Sequence, residues 1–104
     1  MILHLPINRG ICLTPWLIII PKWARGDAAY LAHEQVHAEQ LRRIGVIRFW
    51  WRYLRDKRFR LAMEIPAFKA QCAIDKNYTH WAWCLATEYN LDISQEQAFN
   101  YIRD

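Results

Sequence analysis

Hydrophobic positions change their spacing once along the chain, near Asp27. Before it, "ILHLPI" and "WLIIIP" are short leucine- and isoleucine-rich runs separated by "NRG" and "TP". These separators are turn chemistry, so the segment predicts a two-stranded hairpin or small sheet. Pro6, Pro15 and Pro21 then mark strand ends or an exposed edge, because proline cannot donate to a sheet ladder. After Asp27 the period becomes helical: Tyr30, His33, His37, Leu41 and Ile44 recur on one face, with Asp27 as N-cap and Gly45 as the stop.

A second helix is expected from about Val46 to Asp56, with Ile47, Trp50, Trp51 and Leu54 on its apolar side and Arg48, Arg52 and Arg55 opposite. A third should span roughly residues 60 to 75. Pro66 removes a backbone donor inside it, so it either starts near Glu64 or bends there. "THWAWCLATEYN", capped by Thr79, and "SQEQAFNYIRD", capped by Ser94 with Gln97 three residues on, read as a fourth and a fifth helix. No repeat or low-complexity linker divides the pattern. The expected fold class is α+β and mostly helical: one domain over 1–104, a short N-terminal hairpin or small sheet followed by four to five helices.

Composition supports a packed core, since 54% of the 104 residues are hydrophobic and 14% aromatic, far from the polar signature of disorder. Cys12, Cys72 and Cys84 are odd in number and widely spaced, which fits neither a disulfide framework nor a paired C-x-x-C metal ribbon. A reducing compartment is expected, with Cys72 and Cys84 as small buried apolar residues. The N-terminal stretch lacks the pattern of a secretory signal, and "WLIII" is too short to span a bilayer. A cytoplasmic location is therefore expected, with release on lysis or carriage on a virion as the exceptions.

The chemistry concentrates in "LAHEQVHAEQ". At about 100° per residue, His33 and His37 lie roughly 40° apart on consecutive turns, with Glu34 about 100° from His33. Two imidazoles so spaced can share one tetrahedral ion, and the offset carboxylate is suited to taking a proton from water rather than to ligation. Glu39 points away and reads as solvated. A catalytic zinc site needs a third protein ligand, and Glu64 in "RLAMEIPAFKAQ" is the leading candidate, with His4 and His80 as rivals.

"HEQVH" at 33–37, followed some two dozen residues later by Glu64 in an "ExxAF" helix, resembles the gluzincin clan of zinc metallopeptidases, most of all its very small single-domain members from bacteria and phages. The similarity covers about residues 11 to 75. It implies a zincin-like fold, Zn2+ held by His33, His37 and Glu64, Glu34 as general base, and hydrolysis of a peptide or protein, including peptide crosslinks of cell wall. It also implies that an edge strand pairs with extended substrate, for which "WLIIIP" is the candidate. Many gluzincins carry an aspartate four residues after the ligand glutamate to orient a ligand histidine. Phe68 occupies that position here, and Asp75, eleven residues on, is the possible substitute. Tyr78 and His80, expected in a loop after the Glu64 helix, are the candidate oxyanion donors.

Two rival readings differ in class. One keeps the zinc and drops the chemistry, leaving a metal-stabilised interaction domain. The other starts from the net charge of +4 and from Arg42, Arg43, Arg48, Arg52, Arg55, Lys57, Arg58 and Arg60, which crowd one segment. In "RFWWRYLRDKRFR" they interleave with aromatics, as in surfaces that bind nucleic acid or membrane. The plainer reading of that segment is an amphipathic helix whose aromatics are consumed by the core of a small domain, and on it nucleic acid is not a partner.

Overall fold

The computed structural model describes residues 1–5 and 11–103, so the expected "NRG" turn and Pro6 lie outside the described residues. Three strands, β1 (Ile2–Leu5), β2 (Ile11–Thr14) and β3 (Leu17–Pro21), form one sheet in the order β1-β3-β2. β2 and β3 are the two arms of a hairpin turned at Pro15 and Trp16, with a register irregularity between Cys12 and Thr14. β1 adds to the other side of β3 in parallel, Ile2 opposite Ile18 and His4 opposite Ile20. β3 is therefore the central strand, and the alternation of its side chains buries isoleucines 18 and 20 on one face while Leu17 and Ile19 opposite are half-buried.

After a 3₁₀ turn at Lys22–Ala24, five helices follow: α1 (Ala28–Ile44), α2 (Val46–Arg55), α3 (Lys57–Asp75), α4 (Tyr78–Glu88) and α5 (Gln95–Arg103). Their starts follow local chemistry. Asp27 Oδ1 accepts from the Ala29 and Tyr30 amides, and Asp56 Oδ1 accepts from those of Arg58 and Phe59. Ser94 and Gln97 cap α5 reciprocally, each side chain accepting from the other's backbone N–H. The Asp56 cap starts α3 a turn earlier than the expected residue 60, and the helix runs through Pro66 without a break. α4 begins at Tyr78 after Asn77, so Thr79 lies inside the helix instead of capping it.

α1 packs along α3, with the sheet and α2 on one side. Two apolar clusters result. The first joins Cys12, Ile18, Ile20, Tyr30, Leu41, Phe49 and Phe59. The second joins Phe68, Cys72, Ala82, Leu85, Leu91, Ala98 and Ile102 from α3, α4, α5 and the loop before α5.

α2 corrects the expected facing. Phe49 is its one fully buried residue, whereas Ile47, Trp51 and Leu54 are 86%, 60% and 72% exposed. Apolar side chains cover well over half of this helix's circumference, more than one interface can hide. Phe49, stacked on Tyr53 and edge-on to Trp50 and Phe59, won the contact with the core.

Arg60 is likewise not part of a solvated basic face. Its guanidinium donates to the carbonyl oxygens of Tyr53, Tyr89 and Asn90 at 2.6, 2.8 and 3.1 Å, tying the end of α2 and the segment after α4 to α3. Replacing Arg60 by alanine strands three carbonyls and is expected to destabilise the fold by about 2–3 kcal/mol. Arg60→Lys should recover little, because an ammonium cannot reproduce the planar fork. A denaturant midpoint within error of wild type for Arg60→Ala would contradict this role.

Candidate metal centre

His33, Glu34 and His37 are buried because α1 lies between the sheet and α3. Opposite them, Glu64 projects from the middle of α3 and is 2% exposed. Its Oε1 lies 3.2 Å from His33 Nε2 and 3.1 Å from His37 Nε2. The three ligand atoms fall within 4.8 Å of one another, and among the described residues no other His, Cys, Asp or Glu group forms such a cluster. Ligands bound tetrahedrally at about 2.0–2.1 Å from one ion stand roughly 3.3 Å apart, so the spacing fits a single zinc.

The tautomers fit as well. His33 Nδ1 faces Gln71 Oε1 at 2.9 Å, and His37 Nδ1 faces Gln40 Oε1 at 2.8 Å. Gln40 is oriented by its own Nε2, which donates to the Met63 carbonyl at 2.9 Å. An amide oxygen only accepts, so each Nδ1 carries a proton, which leaves each Nε2 as the ring nitrogen that would offer its lone pair to a metal and that pairs with Glu64 in its absence. Tyr53 donates its hydroxyl to Glu64 Oε2, which fixes the carboxylate and leaves Oε1 toward the rings. Rings of Phe68 and Phe49 flank the two histidines at 4.4 and 6.3 Å.

Gln71, Gln40 and Tyr53 were missed in the sequence. The signal for Gln71 was present, because it lies seven residues after Glu64 and so on the same helical face. It takes the orienting part assigned to Asp75, which instead accepts from Trp81 Nε1 and the Asn77 amide, away from the histidines. Outer partners of this kind are typically worth 10–100-fold in metal affinity. Gln71→Leu is expected to weaken zinc binding by about that factor, and an unchanged dissociation constant in competition with a chelating dye would refute the assignment.

Other candidates fall elsewhere. His4, on β1, borders a separate cavity with Ile20 and Leu31. Tyr78 and His80 belong to the first turn of α4 and not to a loop, since Asn77 has already begun that helix. Tyr78 packs toward Phe99, whereas His80 borders a cavity that also reaches His33 and Glu34. β3 cannot be the edge that receives an extended chain, because both of its sides are paired. β2 is the edge beside the site: Ile11 and Cys12 line a cavity of about 230 Å³ with His33, Glu34, His37 and Glu64. Burial and the nearby Glu34 carboxylate push the Cys12 thiol up to about 12, and Cys12 lies outside the cluster of His33, His37 and Glu64, so it serves as wall.

Two cavities meet at His33 and Glu34. One is the space beside β2 and α2; the other, about 250 Å³, is lined by Trp23, Tyr30, Trp81, Trp83 and Glu88. Tyr89 borders both. Glu34 Oε1 stands 3.9 Å from His33 Nε2, close to the cluster yet outside it.

Without metal the cluster is held by charge. Burial alone would lower His37, but the Glu64 carboxylate, with help from Glu34 and Gln40, overrides it and raises the ring from 6.5 to about 9. Burial would raise Glu64, but the two imidazoles hold it well below the usual carboxylate range. A raised histidine stabilises the fold fully below its unfolded value of 6.5 and ceases to as pH climbs through about 9. The depressed carboxylate contributes above its unfolded value of 4.5 and is lost as pH falls below it. Chelator-treated protein is therefore expected to melt highest between about pH 4.5 and 6.5 and progressively lower toward pH 9. A melting temperature flat across that upper range would contradict the pairing.

The chain matches no known protein family, no curated protein and no solved structure.

Proposed function

We propose that the protein is a zinc-dependent peptidase of minimal, gluzincin-like build, with His33, His37 and Glu64 as ligands and Glu34 as general base. One observation carries the reading: the Nε2 atoms of two imidazoles and a buried carboxylate oxygen converge on one point, with a second buried carboxylate beside them and a cavity opening on each side. When bound there, zinc supplies Lewis acidity, which polarises a carbonyl and lowers the pKa of a water toward ~7.

The residues of the chain divide the remaining work. Glu34 Oε1 takes a proton from the attacking water and returns it to the nitrogen of the leaving amine. His80, bordering one cavity, and Tyr89, bordering both, are the donors assigned to the developing oxyanion, whereas Tyr78 borders neither. The outer edge of β2 at Ile11 and Cys12, ahead of the Leu13 carbonyl that Trp50 occupies, is where an extended peptide would lie, with residues on either side of the scissile bond entering the two cavities.

Incubation of zinc-loaded protein with a diverse peptide pool and with cell-wall stem peptides, read by mass spectrometry, tests this. New termini that disappear with a zinc chelator and return with zinc are expected. Uncut pools at high enzyme concentration would leave a metal-stabilised interaction domain as the better description.

A further inference from the structure

The exposed side of α2 is arranged in sectors. At about 100° per residue, Leu54, Ile47 and Trp51 occupy roughly 60° of arc, and Arg55, Arg48 and Arg52 occupy the adjoining 60° or so. Phe49, Tyr53 and Trp50 on the remaining side meet the core. The helix thus presents to solvent an apolar ridge with an arginine flank, the pattern of a helix that lies in the plane of a lipid interface. Arg55 sits over the Trp51 ring at 3.8 Å, which keeps that cation at the border of the ridge, and Arg52 sits over Phe59 at 4.3 Å, at the core side of the arginine sector. Leu13, also exposed, is held beside α2 by the bond from Trp50 Nε1 to its carbonyl at 3.0 Å. No helix among the described residues is long and apolar enough to cross a membrane, so the arrangement concerns attachment to a surface.

We infer that α2 docks the protein on an anionic phospholipid surface, with Ile47, Trp51 and Leu54 entering the headgroup boundary and Arg48, Arg52 and Arg55 meeting lipid phosphates. Charge complementarity selects this occupant. A second copy packed ridge to ridge leaves the arginines without anionic partners, and a nucleic acid offers two aliphatic side chains nothing to stack on or bond. Lipid satisfies both sectors at once. Leu54 also lines the cavity that holds His33, Glu34, His37 and Glu64, so docking by α2 brings the mouth of that cavity to the lipid surface. The attachment does not depend on the metal site performing hydrolysis.

The test is sedimentation of the full chain with phosphatidylcholine vesicles with and without phosphatidylglycerol. Binding is expected only to the anionic vesicles, and it should weaken strongly as salt rises from about 0.1 to about 1 M, where the screening length shrinks from ~10 to ~3 Å. Ile47→Ser/Leu54→Ser and, separately, Arg48→Gln/Arg52→Gln/Arg55→Gln should each reduce it by about tenfold or more, with melting temperatures near wild type because these side chains are exposed. In the unmodified chain, acyl chains brominated near the headgroup should quench fluorescence, and Trp51→Phe should remove most of that quenching. This second readout holds even where the serine variants fold poorly. The inference is overturned by absence of vesicle binding at low salt, or by binding indifferent to Ile47 and Leu54. It is equally overturned by an oligonucleotide complex that needs the arginines but not the aliphatics, or by a dimer that Ile47→Ser/Leu54→Ser dissolves.

Discussion

Glu34→Gln is expected to keep about one equivalent of zinc and to lower peptide hydrolysis by about 10²–10⁴-fold, the usual worth of a positioned general base. Glutamine preserves the volume and a carbonyl oxygen but cannot accept and return the proton. Glu34 stands 3.9 Å from His33 Nε2 and outside the ligand triangle, so its replacement should leave affinity for the metal little changed. The effect should fall on kcat, with KM nearly constant, because the proton moves only in the chemical steps. Loss of zinc together with activity would make Glu34 a ligand and break the division of roles. Full retained activity would remove it from the mechanism.

His37→Ala carries the second large effect. A ligand bound in the native state but not in the unfolded chain stabilises by about 4 kcal/mol at a free concentration 1,000 times its dissociation constant. For a domain near this size that corresponds to roughly 15–30 °C in melting temperature. Zinc should raise the wild-type midpoint by an amount of that order, and chelator should reverse it. In His37→Ala the zinc-dependent shift should vanish, since only two of the three ligands, His33 and Glu64, remain. A shift of full size in the variant would mean that the metal sits elsewhere. Differential scanning fluorimetry with and without zinc reads both proteins in one experiment.

Much of the helical architecture was legible because its signals are local. Asp27 and Gly45 bound α1 in both sequence and structure, and the Ser94–Gln97 pair caps α5. The placement of His33 and His37 on one face follows from helix period alone. That Glu64 would approach them followed from the need for a third ligand and from the resemblance, because the sequence shows that α3 has a polar residue at its middle but not which helix it meets. The sheet was harder to read. β1 pairs with β3 in parallel and so makes β3 central, a choice set by tertiary packing that four-residue runs do not encode. α2 shows the opposite difficulty, a pattern so widely apolar that it does not say which part of the apolar arc meets the core. The aromatics first read as core were in part surface, and that reversal is what exposes the ridge of Ile47, Trp51 and Leu54. Among the supports of the site, Gln71 was readable as a same-face neighbour of Glu64, whereas Tyr53 reaches Glu64 from a different helix and left no signal in the spacing.

The central claim is that one divalent cation is held by side chains from α1 and α3. Crystals of zinc-grown protein, measured on both sides of the zinc absorption edge, test it most directly. The account predicts one anomalous peak about 2.0–2.2 Å from Nε2 of His33, Nε2 of His37 and a carboxylate oxygen of Glu64. Crystals with no peak there, and with the Glu64 carboxylate hydrogen-bonded directly to both rings in the presence of zinc, would contradict it.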